Sequence, residues 1–189
     1  MTNKFSHSLI KQTINSIKYI VICVLLIAFL WTGYFIIYGN FHQVDKDFYR
    51  SAQLFSFNMP YYVEKNGIKS VLNLRGPSKK EWYTDEIKIS NQYNIIHYDY
   101  GITDRKPTTM KQMDEILKII DDAPKPILVH CKAGADRSSL IAALYLYSIK
   151  HHKNPEKEIS IIYGHFPWLG SKTNAMDNSF EDYKRQHPQ

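Results

Sequence analysis

A chain of 189 residues, 44% of them hydrophobic, has room for one domain of ordinary size and a short extra segment, and excludes two domains with separate cores. The net charge of +6 falls to +3 over positions 39–189 once Lys4, Lys11 and Lys18 are set aside, which is too weak a bias to mark a nucleic-acid binder and suits small anionic substrates. With two cysteines, one of them (Cys23) inside an apolar run, a disulfide framework is excluded and Cys131 is a free thiol.

Tyr19 to Tyr38 (YIVICVLLIAFLWTGYFIIY) is a run of twenty residues without a charge. At about 1.5 Å per residue it spans roughly the 30 Å of a bilayer core, which predicts a transmembrane helix over 19–38. A cleaved signal peptide would have a shorter apolar core, roughly 7–15 residues, and a small-x-small cleavage site. Tyr19, Trp31, Tyr34 and Tyr38 put amphipathic rings toward the ends of the span, where headgroups meet hydrocarbon. Three lysines and no acid precede the run, while Asp45, Lys46, Asp47 and Arg50 roughly cancel after it. The expected arrangement is a basic cytoplasmic segment over 1–18, the span, and a domain over 39–189 on the outer side, the periplasm in a Gram-negative cell.

Beyond the span, short turn-rich breaks separate alternating elements without a long linker. Phe48–Gln53 and Ser70–Leu74 are expected strands, with a helix between them capped by Asn58 and stopped at Gly67. A helix over Lys79–Gln92 leads to a strand at Asn94–Tyr98. After a polar loop, Thr108 or Thr109 caps a helix that repeats Met113, Ile116, Leu117 and Ile120 on one face. The wholly apolar Ile127–Val129 is a short buried strand, and Ser138–Lys150 is a helix that packs Leu140, Ile141, Leu144 and Ile149 on a sheet. Asn154-Pro155 opens a helix through Ile162 that stops near Gly164, and the aromatic tail Gly164–Gly170 is expected to pack over the domain, with His165 and Trp168 as the alternative lining of a pocket. This alternation predicts an α/β domain whose central sheet is mainly parallel and flanked by helices.

Between the last strand and its helix stands His130-Cys131-Lys132-Ala133-Gly134-Ala135-Asp136-Arg137-Ser138. Amides at a helix amino terminus present free N–H groups, and the helix dipole adds positive potential, so this turn is an anion cradle suited to a phosphate. Gly134 permits the tight turn. Arg137 adds a planar fork for two phosphate oxygens. The same field favours thiolate over thiol at Cys131, which sits beneath a bound phosphate and can attack phosphorus in line to give a cysteinyl-phosphate that water opens. His130 orients the loop or is a satisfied buried histidine, and Ser138 is placed to donate to the cysteine sulfur. Lys132, Ala133, Gly134, Ala135, Asp136 and Ser138 are the candidate phosphate-binding residues. Amides and Arg137 meet the phosphate charge, so no metal or organic cofactor is expected.

The pattern H-C-x-x-G-x-x-R-S resembles the active-site loop of cysteine-dependent protein tyrosine and dual-specificity phosphatases. Asn40–Asp45, Phe48–Gln53 and Gly67–Arg75 resemble the opening segments of the atypical dual-specificity phosphatases of fungi, plants and bacteria, so that the resemblance covers about positions 40 to 170. It implies a dual-specificity phosphatase-like fold and a substrate that is a phosphorylated protein, a phosphoinositide or an inositol phosphate. Fungal and plant relatives carry a basic residue near Ala135. An acid before the arginine, here Asp136, resembles the loops of some bacterial phosphatases and of myotubularin-like enzymes, which shifts weight toward phosphoinositides. The family takes its general acid from an aspartate after the preceding strand. Asp104, in Asp104-Arg-Lys-Pro107, resembles the family's D-x-x-P loop and is favoured over Asp99 because a loop position can close over substrate. Arg50 and Arg75 match family positions and are expected to brace loops around the site.

Three other functions compete with hydrolysis. A silent phosphate-binding module tethered at the membrane would not need both nucleophile and arginine. Arsenate reductase chemistry requires a resolving cysteine, and none stands outside the apolar run. Nucleic-acid binding lacks a basic helix or a stacked-aromatic motif.

Overall fold

The computed structural model describes the backbone of residues 2–189 and the side chains of residues 11–189 other than Ile36. The chain divides into two compact units, one ending at Ile37 and one spanning Tyr38–Gln189. The first is the helix α1, Thr2–Tyr38. Its stretch Lys11–Phe35 is long and apolar enough to cross a membrane, and none of it is buried. The side chain of Lys4, part of the expected basic flank, lies outside the described residues.

The second unit is built on a five-stranded sheet: β1 His42–Asp45, β2 Phe48–Ser51, β3 Ser70–Asn73, β4 Ile96–Asp99 and β5 Ile127–His130, in the order β1-β2-β5-β3-β4. Only β1 and β2 pair antiparallel; the other three pairings are parallel. The sheet is therefore mainly parallel, as the alternation of strands and helices predicts. β1 escapes sequence patterning because His42-Gln-Val-Asp45 is a half-exposed edge strand with little apolar content. β5 lies at the centre, where ligands meet the carboxyl ends of strands in open α/β sheets. There the register lines up Ser51, His130, Asn73 and Asp99 in one row.

Alternate residues of the central strands feed two cores, as the period of two requires. Phe48, Leu72, Ile127 and Val129 pack with α4 (Met110–Asp122), α5 (Arg137–Ser148) and α6 (Asn174–Gln186) on one face. Tyr49, Val71 and Leu128 pack with α2 (Met59–Asn66) and α3 (Glu81–Gln92) on the other. The stripe Met113, Ile116, Leu117 and Ile120 is buried as its spacing predicts. Thr109 caps α4 in a reciprocal box: its hydroxyl accepts from the Gln112 amide, while the Gln112 side chain accepts from the Thr109 amide. Asn58 precedes α2 but does not cap it, because its Oδ1 accepts from the Phe55 amide at 2.8 Å.

One expectation is corrected at the carboxyl end. The segment from Pro155 forms two short 3-10 turns, Pro155–Glu158 and Ile161–Tyr163, rather than one α-helix. Arg50 takes the Glu158 carbonyl at 2.8 Å, the acceptor that an α-helix would give to Ile162, whose amide turns to the Ser160 hydroxyl. The tail then continues into α6, which buries Ala175, Met176, Ser179, Phe180 and Tyr183.

Candidate active site

Cys131 follows the last residue of β5 and is 1% exposed. In the six-residue loop Cys131–Asp136 the carbonyls of the last five residues are each bonded to a group outside the loop. Lys132 O accepts from the Gln53 amide at 3.3 Å, Ala133 O from the Asn40 side chain at 3.1 Å, and Gly134 O from the Arg50 guanidinium at 3.0 Å. Ala135 O accepts from the Ser139 hydroxyl at 2.6 Å and Asp136 O from the Leu140 amide. With those five carbonyls held outward, the planar peptides turn the amides that follow them, Ala133 to Arg137, the other way. That of Gly134 donates to Cys131 Sγ at 3.3 Å. Those of Lys132, Ala133, Ala135 and Asp136 make no hydrogen bond among the described residues. Gly134 has φ +69°, and a Cβ there would lie 2.5 Å from the Ala52 nitrogen, so no other residue fits between the loop and the end of β2.

Arg137 begins α5 and is tied through Nη1 to the carbonyls of Leu74 (3.3 Å) and Ile102 (3.2 Å). Its Nε is buried and has no hydrogen-bond partner among the described residues. A buried unsatisfied guanidinium N–H is costly, and a phosphate oxygen is the acceptor it matches best. Ser138 Oγ lies 3.5 Å from Cys131 Sγ, at the distance expected for a hydroxyl that supports a sulfur anion.

Arg50 is fully buried and braces this loop, as the family position implies. Besides Gly134 O it holds Glu158 Oε2 at 3.0 Å and stacks 4.0 Å over the Tyr163 ring. Burial pushes its pKa down from the ordinary value, and the Glu158 charge opposes that. Arg75 lies over the Trp82 ring at 3.5 Å and donates to Gln53 Oε1 at 2.7 Å. Burial lowers its pKa, and the neighbouring Arg137 charge lowers it further, so two guanidinium groups share this corner of the molecule.

The two candidate acids differ in how they are held. Asp99 ends β4 with both oxygens engaged: Oδ1 accepts from the Asn73 side chain at 2.8 Å and Oδ2 from the Tyr83 hydroxyl. That bond to Asp99 is the largest influence pushing the Tyr83 phenol up to about 12. Asp104 stands half-buried in the loop between β4 and α4 and has no side-chain partner among the described residues. The base of its loop is fastened to the site. Tyr100 and Ile102 donate to the carbonyls of Asn73 and Leu74, Gly101 packs against Gly76, and Ile102 O receives Arg137.

Asp136 is occupied elsewhere. Its Oδ1 is 2.8 Å from Nδ1 of His165, whose Nε2 is 2.9 Å from Asp177 Oδ2 at the start of α6. His165 is 2% exposed. Burial pushes its pKa down, but the two carboxylates outweigh this and hold it above the ordinary 6.5. A raised folded-state value means that the stabilisation is complete below about pH 6.5 and is lost as pH rises through the raised value. Unfolding free energy from urea titrations is accordingly expected to fall with rising pH above 6.5. His165→Ala is expected to cost about 3 kcal/mol at pH 6 by leaving the carboxylates unpaired, and to flatten that dependence. Lys132 and Ala133 are exposed at the mouth, and Ala135 is buried under the turn.

Sequence reasoning did not find Asn40 and Gln53 as braces, nor Glu86, which receives His130 Nε2 at 3.0 Å. Asn40 and Gln53 fall inside the segments that carry the resemblance, the one signal available for them.

The sequence model of a family described as "DSP-PTPase phosphatase fused to NAD+ Kinase" matches residues 40–181. No curated protein matches the chain. Among solved structures it is similar to a phosphatase (DUF442) of Shewanella putrefaciens CN-32, with TM-score 0.64, 18% identity, and coverage of 80% of this chain and 92% of that one. It is similar also to TpbA of P. aeruginosa, with TM-score 0.60, 15% identity, and coverage of 76% and 84%. The core catalytic domain of the PP-IP phosphatase SIW14 from S. cerevisiae gives TM-score 0.60, 18% identity, and coverage of 78% and 91%. At these identities the likeness concerns the fold.

Proposed function

The chain belongs to the phosphatase family whose model spans residues 40–181, and on that premise we propose that it is a membrane-anchored enzyme that hydrolyses phosphate monoesters through a cysteinyl-phosphate on Cys131. The observation that carries this is the loop of outward-bonded carbonyls: within six residues of Cys131, four loop amides and Nε of Arg137 have no hydrogen-bond partner among the described residues, and the Gly134 amide already donates to the sulfur. The amides and Arg137 hold three phosphate oxygens and stabilise the charge that gathers on them in the transition state. The Cys131 sulfur attacks phosphorus as the bond to the leaving oxygen breaks, and Asp104 gives that oxygen its proton. The Asp104 carboxylate then takes a proton from water, which attacks phosphorus. The S–P bond breaks, and the sulfur anion is received by the Gly134 amide and the Ser138 hydroxyl.

The substrate is a phosphorylated protein, on tyrosine, serine or threonine, or a phosphoinositide. The pairing of Asp136 with His165 makes that acid a structural brace, so the weight it lent to phosphoinositides is withdrawn. Phosphate release by the detergent-solubilised chain from a panel of phosphopeptides and phosphoinositides identifies the class. Tight binding of a phosphoester without release from any member would replace this reading with that of a tethered phosphate-binding module.

The apolar helix supports the anchor, and three lysines before it against a balanced flank support a cytoplasmic amino terminus. A carboxyl-terminal alkaline phosphatase fusion is expected to be active, as it is only outside the cytoplasm; activity of a cytoplasmic reporter at the same position would reverse the orientation.

A further inference from the structure

Behind the cysteine loop lies a buried carboxylate that the chemistry above does not use. Glu86, on α3, is 2% exposed and receives three donors. Nε2 of His130 is 3.0 Å and Nε2 of His97 is 2.7 Å from its Oε1, and the Gln53 side-chain amide donates to its Oε2. Each partner leads onward. His130 is the residue before Cys131, and its second nitrogen faces the Cys131 carbonyl at 3.4 Å. Gln53 turns its Oε1 to Arg75 and lends its backbone amide to Lys132 O in the cysteine loop. His97 has its Nδ1 3.8 Å from Asp99, which Tyr83 of α3 also reaches.

One side chain thus fixes the ring that precedes the nucleophile and, through Gln53, the second guanidinium of the site. Burial pushes the Glu86 carboxyl up, but the charge of His130 and hydrogen bonds from His130, His97 and Gln53 outweigh burial and hold it well below the ordinary carboxylate range. An ionised carboxylate is what this position needs, because only four lone-pair sites without a proton can serve three donors at once.

We propose that Glu86 is a positioning residue for the phosphatase reaction, which sets the His130 ring and the Gln53–Arg75 pair and through them the loop that carries Cys131. The proposal rests on Cys131 being the nucleophile, and the two fail differently: a wrong nucleophile leaves Cys131→Ser active, whatever Glu86 does.

The wiring specifies the test. In Glu86→Gln the introduced carbonyl can still accept from both histidines, but the introduced NH2 meets the NH2 of Gln53. If Gln53 turns over to accept it, Gln53 presents a donor to Arg75, and the conflict moves there. In the double variant Glu86→Gln/Gln53→Glu, the introduced amide donates to the introduced carboxylate, whose other oxygen accepts from Arg75, so the contacts to both histidines and Arg75 are kept and only the bond that Gln53 gives to the Leu54 carbonyl at 3.0 Å is lost.

With the full chain in detergent, Glu86→Gln is expected to lower kcat about 10- to 100-fold, as a misplacement of the reacting groups does, with a smaller change in KM. Alkylation of Cys131 by iodoacetate at pH 6 is expected to slow alongside. The double variant is expected to recover at least half of the loss in log kcat, which a residue needed only for folding would not predict. Thermal denaturation reports whether each variant is folded; if the single variant is not, recovery of both fold and kcat in the double variant carries the test. A folded Glu86→Gln with unchanged kcat and alkylation rate would overturn the proposal. So would a folded double variant no faster than the single one.

Discussion

Cys131→Ser is expected to reduce phosphate release about 10⁴-fold or more on every substrate of the panel while leaving the thermal midpoint within a few degrees. The substitution keeps a small side chain in a site that is 1% exposed and removes the sulfur nucleophile of the proposed reaction. A serine oxygen holds its proton at neutral pH; Ser138 beside it is a hydroxyl, and the neighbouring His130 has its Nε2 engaged by Glu86. The cradle itself survives, since the carbonyl braces and Arg137 are untouched, so the variant is expected to bind phosphoesters it cannot cleave. Trapping of a radiolabelled phosphoenzyme after rapid acid quench should succeed with the native chain and fail with Cys131→Ser. Activity within tenfold of native would remove Cys131 from the reaction.

The second large effect concerns the acid and depends on the leaving group. Asp104→Asn is expected to slow release from an alkyl phosphate by about 10²- to 10⁴-fold, the usual contribution of a positioned proton donor. With p-nitrophenyl phosphate, whose leaving anion needs no proton, the loss should shrink to about tenfold or less. Asp99→Asn serves as the control. Its carboxylate is spent on Asn73 and Tyr83, so its replacement should lower stability by about 1–3 kcal/mol without such a dependence. Should Asp99→Asn show the leaving-group dependence and Asp104→Asn not, the two roles are exchanged.

What could be foreseen from the sequence was what is local in the chain. The cysteine loop declares itself because its cysteine, glycine and arginine fall within seven residues, between a strand and a helix with apolar signatures of their own. The stripe of α4 and its Thr109 cap are local for the same reason. Glu86 was hidden because Glu81, Asp85 and Glu86 look alike on a polar helix; only the fold turns one of them inward, onto histidines 11 and 44 residues away. His165 was hidden in a tail whose aromatic neighbours pointed to packing. The 3-10 turns after Pro155 reflect a bond from Arg50, 108 residues earlier, which no local propensity encodes. α6 is different, for Met176, Phe180 and Tyr183 recur at helical spacing and were there to be seen.

The outward carbonyls of the cysteine loop bear finally on when the protein becomes an enzyme. The donors that hold them come from Asn40, 93 residues before its acceptor, from Arg50, 84 residues before, and from the backbone at Gln53. Ordering contacts across such separations must overcome loop-closure entropy, and they form late relative to helix α5 next door. A nascent or partly unfolded chain therefore lacks the assembled loop around position 131. The proposed phosphate cradle is complete only once these distant donors close on the loop, so an incompletely folded copy lacks the site that would hold a phosphoester over Cys131.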